Sequence, residues 1–139
     1  MDEKSERGLE VIGGMMGEKF SEGLRAAATS GKFGSAIAQM AIEYAFADVW
    51  GRPGLEKKQR SLVVIGVLIA QRQTSELKNH IRIGVANGLT AQDIEEVLIQ
   101  ALPYVGFPCV ASATTVVIET LRELGLDPDA RTAEERGLL

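Results

Sequence analysis

The chain has 139 residues, of which 45% are hydrophobic and 24% charged, and its net charge is −4. This length predicts one domain, and the absence of a basic tract argues against a nucleic-acid partner. A single cysteine excludes an intrachain disulfide and fits a reducing compartment. The charged N-terminus is unlike a secretory signal, and the longest apolar run is too short to span a bilayer. We therefore expect a cytoplasmic protein with no membrane partner.

The first part of the chain is expected to be helical. Aromatic residues make up only 5% of the sequence, and good helix formers dominate its long stretches. Residues 5–30 are predicted to form one or two helices, with a break or bend near Gly13-Gly14 and Gly17. A further helix is predicted over residues 33–50. The segment 52–55, Arg-Pro-Gly-Leu, should end it, because proline lacks a backbone donor and glycine adds turn freedom.

Residues 56–71 begin charged and then become nearly all apolar. Val-Val-Ile within this run is also compatible with a buried strand, but the helical pattern of the surrounding sequence favours a helix. A helix that is apolar on every side must be buried on every side. A domain of this size has little interior for such a helix, so we predict a homo-oligomer with helix-on-helix interfaces.

The next two helices carry clear boundary signals. A helix over residues 74–87 should end at Gly88, a favourable residue just beyond a helix C-terminus. Thr90, followed by Asp93 three residues later, predicts an N-cap close to a capping box. An amphipathic stripe then continues to about residue 102.

Residues 103–108 are predicted to break the chain, and Pro108 suits the first turn of a last helix that runs to about Leu124. Residues 126–139 form a polar tail, either mobile or docked on a neighbour. The whole sequence, residues 1–139, therefore predicts a single-domain, all-α bundle of about six to seven helices.

The one histidine of the chain, His80, follows Glu76 by four residues, so both side chains lie on one face of a helix. This spacing alone is more typical of an ordinary surface pair. However, the chain contains no Gly-rich phosphate loop and no acidic metal-binding loop. His80 is therefore the first place to look for chemistry.

Three ordered segments resemble the signatures of the carboxymuconolactone decarboxylase family. They comprise residues 44–55 with Arg60-Ser61-Leu62, residues 76–80 with Ala86-Asn87-Gly88, and residues 94–98 with 104–108. The resemblance covers about residues 20–124. It implies the all-helical fold of the alkylhydroperoxidase D-like proteins and assembly into a trimer or hexamer.

The peroxidase-like branch of this family carries Cys-x-x-Cys-x-x-x-His, with a glutamate about twelve residues before the first cysteine. Alignment on His80 places Gln73 and Glu76 at the two cysteine positions and Ser61 at the glutamate position. Cys109 lies elsewhere in the sequence. Since a dithiol cycle needs two adjacent thiols, peroxidase activity is disfavoured.

The chain is similar instead to the decarboxylase branch, although it has Ala111 where these relatives often have asparagine. The resemblance implies a cofactor-independent carboxy-lyase that converts 4-carboxymuconolactone to 3-oxoadipate enol-lactone and CO2 in aromatic-acid catabolism, the β-ketoadipate pathway. No metal or organic cofactor is needed, because the substrate is its own electron sink. Two alternatives stay open: an isomerase or decarboxylase of another small unsaturated acid, and a non-catalytic oligomeric binding protein.

The proposed catalytic roles follow from the resemblance. His80 would donate a hydrogen bond or a proton to the reacting lactone, and Glu76 would fix its tautomer and raise its pKa. Arg52 would recognise the substrate carboxylate through its bidentate guanidinium, with Arg60 and Arg82 as weaker candidates. The candidate substrate-binding residues are Arg52, Trp50, Tyr104 and Phe107.

Overall fold

The computed structural model describes residues 1–138, which contain seven helices and no strand. The all-α prediction is therefore confirmed. The helices are α1 (Glu3–Met16), α2 (Glu18–Thr29), α3 (Ser35–Met40) continued by a π-helical segment (Ala41–Trp50), α4 (Lys57–Ala70), α5 (Thr74–Ala86), α6 (Ala91–Val105) and α7 (Phe107–Glu123). Within these 138 residues, no helix is both long enough and apolar enough to cross a membrane.

The chain divides into two compact units, one spanning Met1–Lys57 and the other beginning at Lys58. In the N-terminal unit, α1 packs against both α2 and the π-helical segment. Gly8 allows the second contact, because a Cβ at this position would collide with the carbonyl oxygen of Ile42. The predicted break between the first two helices occurs at Gly17, whose φ of +94° favours glycine.

The helix predicted over residues 33–50 is present from Ser35 onward, but its conformation changes partway. From Ala41 to Trp50 the chain forms a ten-residue π-helix, which is long for a conformation usually seen as a single turn. A polar network lies beside it. The Oε1 atom of Glu43 accepts hydrogen bonds from Nε2 of Gln39 at 2.6 Å and from the hydroxyl of the buried Ser5 at 3.1 Å.

The C-terminal unit is organised around one cluster of buried apolar side chains from α4 to α7. Its members are Ile65, Ile69, Leu77, Ile81, Leu89, Ile94, Leu98, Ala113, Val117 and Leu121. The helical prediction for α4 is confirmed, but its burial is one-sided. Val63 is 60% exposed and Val67 is 46% exposed, so a single chain does not cover this helix on every side.

The break predicted over residues 103–108 is much shorter in the structure. Helix α6 continues through Pro103 to Val105, and the only residue between α6 and α7 is Gly106. Pro103 removes one backbone donor without ending the helix, whereas Gly106 ends it with a φ of +87°. At the other end of α6, Thr90 and Asp93 form the predicted capping box.

The tail that follows α7 is docked on its own chain. The backbone N–H of Thr132 donates to the Glu135 carboxylate at 2.9 Å, and the N–H of Glu135 donates to the Thr132 hydroxyl at 3.2 Å. Arg122 of α7 donates to the same carboxylate at 2.7 Å. The hydrogen bond from Arg122, followed by the one from the Thr132 N–H, lowers the pKa of Glu135 to about 2. Leu139, the last residue of the predicted tail, lies outside the described residues.

Candidate active site

Helix α5 carries the Glu76 and His80 pair at two different depths. Its buried face includes Leu77 and Ile81, both in the core of the C-terminal unit. Glu76 is exposed, whereas His80, one turn further on, is half-buried. The helix therefore carries an exposed carboxylate and a partly desolvated imidazole on one face, as the sequence spacing predicts.

Burial decides the protonation state of His80. Desolvation lowers the pKa of this imidazole, and the negative charge of Glu76 raises it by a smaller amount. The net shift is downward. The expected effect of Glu76 therefore has the right sign, but the effect of burial on the His80 pKa is larger. At neutral pH the side chain is mainly a neutral imidazole. Its Nδ1 atom is buried.

Side chains from α4 and from the segment after α5 fill the space beside Gly84. Gly84, one turn beyond His80, leaves no room for a side chain, since a Cβ there would lie 2.8 Å from Leu89 Cδ1 and 3.3 Å from Ile65 Cδ1. Near the end of α5, the Asn87 side chain donates to the hydroxyl of the fully buried Ser61 at 3.0 Å.

The Ser61–Asn87 hydrogen bond ties the two helices together at the position where the peroxidase-like branch carries its glutamate. The contact between Ser61 and Asn87 was not predicted from the sequence. The available signal was the Ala86-Asn87-Gly88 segment, which forms part of the second signature.

Cys109, the one cysteine of the chain, lies in the first turn of α7 and is buried. Its sulfur accepts a hydrogen bond from Nε of Arg72 at 3.1 Å. Arg72 itself has a left-handed backbone, with a φ of +57°. Gln73 lies at the N-cap position of α5, where the peroxidase-like branch would place a thiol. A dithiol cycle within one chain is thus excluded.

Trp50 and Arg52 belong to the N-terminal unit, at the end of the π-helical segment. Trp50 is buried, with 7% of its surface exposed, and Arg52 is exposed on the turn that follows. Of the weaker candidates, Arg82 is engaged in an ion pair with Glu123 of α7 at 2.7 Å.

Tyr104 and Phe107 lie on either side of the break between α6 and α7, and they are 82% and 75% exposed. Tyr104 lines an open groove of about 790 Å³ between α4 and α6, and most of the remaining lining is apolar. Neither Glu76 nor His80 lines this groove. The structure therefore brings Glu76 and His80 together on α5 and places Tyr104 in a separate apolar surface.

Among residues 1–138, no group of three or more His, Cys, Asp or Glu side chains is arranged to hold a metal ion.

Comparison with known proteins identifies the family. The model of the carboxymuconolactone decarboxylase family matches residues 35–119, which is more than half of the chain. The chain belongs to this family. The matched range contains all six candidate site residues: Glu76, His80, Trp50, Arg52, Tyr104 and Phe107.

Two relatives carry names that describe an activity. The 4-carboxymuconolactone decarboxylase of Acinetobacter baylyi is 31% identical over 128 residues, covering 92% of this chain and 94% of that protein. The nitrosuccinic acid decarboxylase of Metarhizium robertsii is 33% identical over 119 residues, covering 86% of this chain and 82% of that protein. Both names denote decarboxylases. The predictions of the family and of a carboxy-lyase are therefore confirmed.

Proposed function

We propose that this decarboxylase acts on 4-carboxymuconolactone and releases CO2 to give 3-oxoadipate enol-lactone, as a step of aromatic-acid catabolism in the cytoplasm. The relative from Acinetobacter baylyi supports this substrate, because the alignment spans nearly the full length of both proteins. The observation that carries the proposal is His80, a half-buried imidazole one helical turn from an exposed carboxylate.

The reaction develops negative charge on one oxygen atom of the substrate. When the C–CO2 bond breaks, its electron pair moves through the double bond of the substrate to the lactone carbonyl, which becomes an oxyanion. A proton must then be added to carbon. The protein therefore has to hold the remaining carboxylate and stabilise the developing negative oxygen.

His80 is the proposed donor to that oxygen. Since burial lowers its pKa, the imidazole acts as a neutral hydrogen-bond donor, and water supplies the proton that ends on carbon. Neutral histidine with a lowered pKa is known to polarise carbonyl groups in other enzymes. Because Nδ1 is buried, the proposed donor atom is Nε2. Glu76 remains a charged neighbour that limits the downward pKa shift.

Arg52 is the proposed partner of the substrate's second carboxylate, since its guanidinium can make two parallel hydrogen bonds. Its exposed position on the turn after Trp50 is compatible with this role. Contacts of Trp50, Tyr104 and Phe107 with the substrate stay a prediction from the sequence, because Tyr104 lies in a groove that neither Glu76 nor His80 lines.

A second substrate is favoured by the relative from Metarhizium robertsii, which is named for nitrosuccinic acid. A nitro group, like a conjugated lactone carbonyl, can accept the electron pair left by departing CO2 and place the negative charge on oxygen. Nitrosuccinate also carries a second carboxylate. The same His80 donor would therefore serve either acid. The isomerase and the non-catalytic binding protein gain no support from relatives named as decarboxylases.

The direct test is release of CO2 from 4-carboxymuconolactone and from nitrosuccinate by the purified protein, assayed in parallel. His80→Leu should lower turnover of the true substrate by about 10²–10³-fold, the usual cost of losing an oxyanion donor. Lys78→Gln, on the same helix, is the matched control and should retain activity. Absence of release from both acids by the folded protein would refute the proposed substrates.

We also propose that the protein is a homo-oligomer, either a trimer or a hexamer, in which α4 meets helices of a second copy. The apolar groove between α4 and α6, with the exposed Val63 and Val67 on α4, supports this assembly. Val67→Glu should reduce the mass measured by sedimentation equilibrium. Gln92→Glu adds the same charge outside the groove and should not. A monomeric wild-type protein would contradict the proposal.

A further inference from the structure

The π-helical segment ends with an abrupt change of hydrogen-bond pattern just before Arg52. The N–H of Gly51 donates to the carbonyl oxygen of Phe46, five residues back, at 2.9 Å. The N–H of Arg52 donates to the carbonyl oxygen of Val49, three residues back, at 3.1 Å. The chain thus passes from the widest helical turn to a narrow one within a single residue, and this change sets the direction in which the backbone leaves at Arg52.

Gly51 makes this change possible because it lacks a side chain. Its dihedral angles, φ −79° and ψ −2°, are open to any residue, so the requirement concerns space. A Cβ at position 51 would lie 2.6 Å from the carbonyl oxygen of Ala47 and 3.3 Å from that of Phe46. Both obstacles are backbone atoms, which cannot rotate away as a flexible side chain could.

Arg52 is therefore restrained from both sides. The residue two positions before it, Trp50, is buried and anchors the end of the π-helix. The residue after it is Pro53, whose ring restricts the backbone of the residue that precedes it. A guanidinium that starts from such a fixed backbone loses less conformational freedom when it binds an anion.

We propose that Gly51 is a positioning residue, which presets Arg52 for the substrate carboxylate by allowing the π-helix to run up to Trp50. This inference rests on the proposed carboxylate-binding role of Arg52. It assigns a functional reason to the long π-helix and predicts that the turn at residues 51–53 is formed before substrate arrives.

The test is a double-mutant cycle on decarboxylation of 4-carboxymuconolactone, with KM and kcat measured separately. Arg52→Ala should raise KM by about 10–100-fold, the usual range for losing a hydrogen-bonded charge. Gly51→Ala should raise KM by about 10-fold or more with a smaller change in kcat, since misplacement by 1 Å can cost about 10²-fold. The double variant should be no worse than Arg52→Ala, because Gly51 acts through Arg52.

Gly14→Ala is the matched control, since Gly14 belongs to α1 in the same unit and a Cβ there has no atom within 4 Å. Its KM should equal that of the wild type. If Arg52→Ala leaves KM unchanged, the proposed role of Arg52 fails. If Arg52→Ala raises KM while a folded Gly51→Ala does not, or if the two effects multiply, only the positioning role of Gly51 is overturned.

A measurement on the wild-type protein covers the case in which Gly51→Ala does not fold. The amides of Gly51 and Arg52 should be protected from hydrogen exchange in the substrate-free protein, because both donate to backbone carbonyls. Exchange at the rate of an unstructured chain would show that the turn is not preset and would overturn the proposal.

Discussion

The protonation state of His80 leads to a definite prediction for the pH dependence of turnover. Burial lowers the pKa of this imidazole below the ordinary value of about 6.5. At pH 7.5, a group with a pKa no higher than this is less than about 10% protonated. If His80 acts as a neutral donor, kcat should therefore stay level from about pH 7 to 8.5.

A general acid would behave in the opposite way. If the imidazolium form of His80 had to give up its proton, kcat would fall about tenfold for each pH unit above the pKa. Substitutions separate the two roles as well. His80→Gln retains an N–H donor that does not titrate, whereas His80→Leu has none. The neutral-donor role predicts that glutamine restores part of the roughly 10²–10³-fold loss expected for leucine.

The assay is a kcat profile from about pH 5.5 to 8.5 for the wild type and both variants. CO2 release at saturating substrate is the measured quantity. Because His80 is the one histidine of the chain, its pKa can be read without ambiguity from a single NMR titration. A pKa above the ordinary histidine value, or a kcat that falls steadily above pH 7, would refute the neutral-donor mechanism.

Three further predictions concern stability. Gly84→Ala should lower the free energy of unfolding by about 1–3 kcal/mol in urea titrations, because its Cβ would press on Leu89. Gly66→Ala is the control and should not lower the free energy of unfolding, since no atom lies within 4 Å of its Cβ. Thr90→Ala should cost about 1 kcal/mol, since it removes the N-cap of α6. The pKa of Glu135 is lowered from 4.5 to about 2, so its contribution to tail docking is full above pH 4.5 and is lost as the pH falls towards 2. A fall in amide protection within the docked tail, relative to the intrinsic exchange rate at each pH, would show this loss.

The helix boundaries were largely predictable because they depend on local chemistry. Each boundary signal acts on residues close to it in the sequence. Gly17 ends α1 with a positive φ, and Thr90 caps the start of α6. The π-helix was not predictable from these signals. Its hydrogen bonds reach one residue further than those of an α-helix, and no residue type in Ala41–Trp50 marks that change.

The site was predictable only in part. Helical spacing placed Glu76 and His80 on one face, but the sign of the His80 pKa shift depends on how deeply tertiary packing buries the ring. The hydrogen bond between Ser61 and Asn87 joins residues far apart in the sequence. By contrast, the docking of the tail had a visible signal, because Thr132 followed by Glu135 has the spacing of a capping box.

Helix α4 connects the sequence pattern with the proposed assembly. Its apolar residues continue around the helix, yet only Ser61, Ile65 and Ile69 are buried in its own chain, and Val63 and Val67 remain exposed. A solvent-facing helix would gain nothing from apolar residues at these two positions, and the cost of exposing them grows with the area left in water. The apolar lining of the adjoining groove extends the same surface onto α6. A second copy that covers this surface would give α4 the burial that its sequence predicts, which is why the Val67→Glu experiment tests the assembly directly.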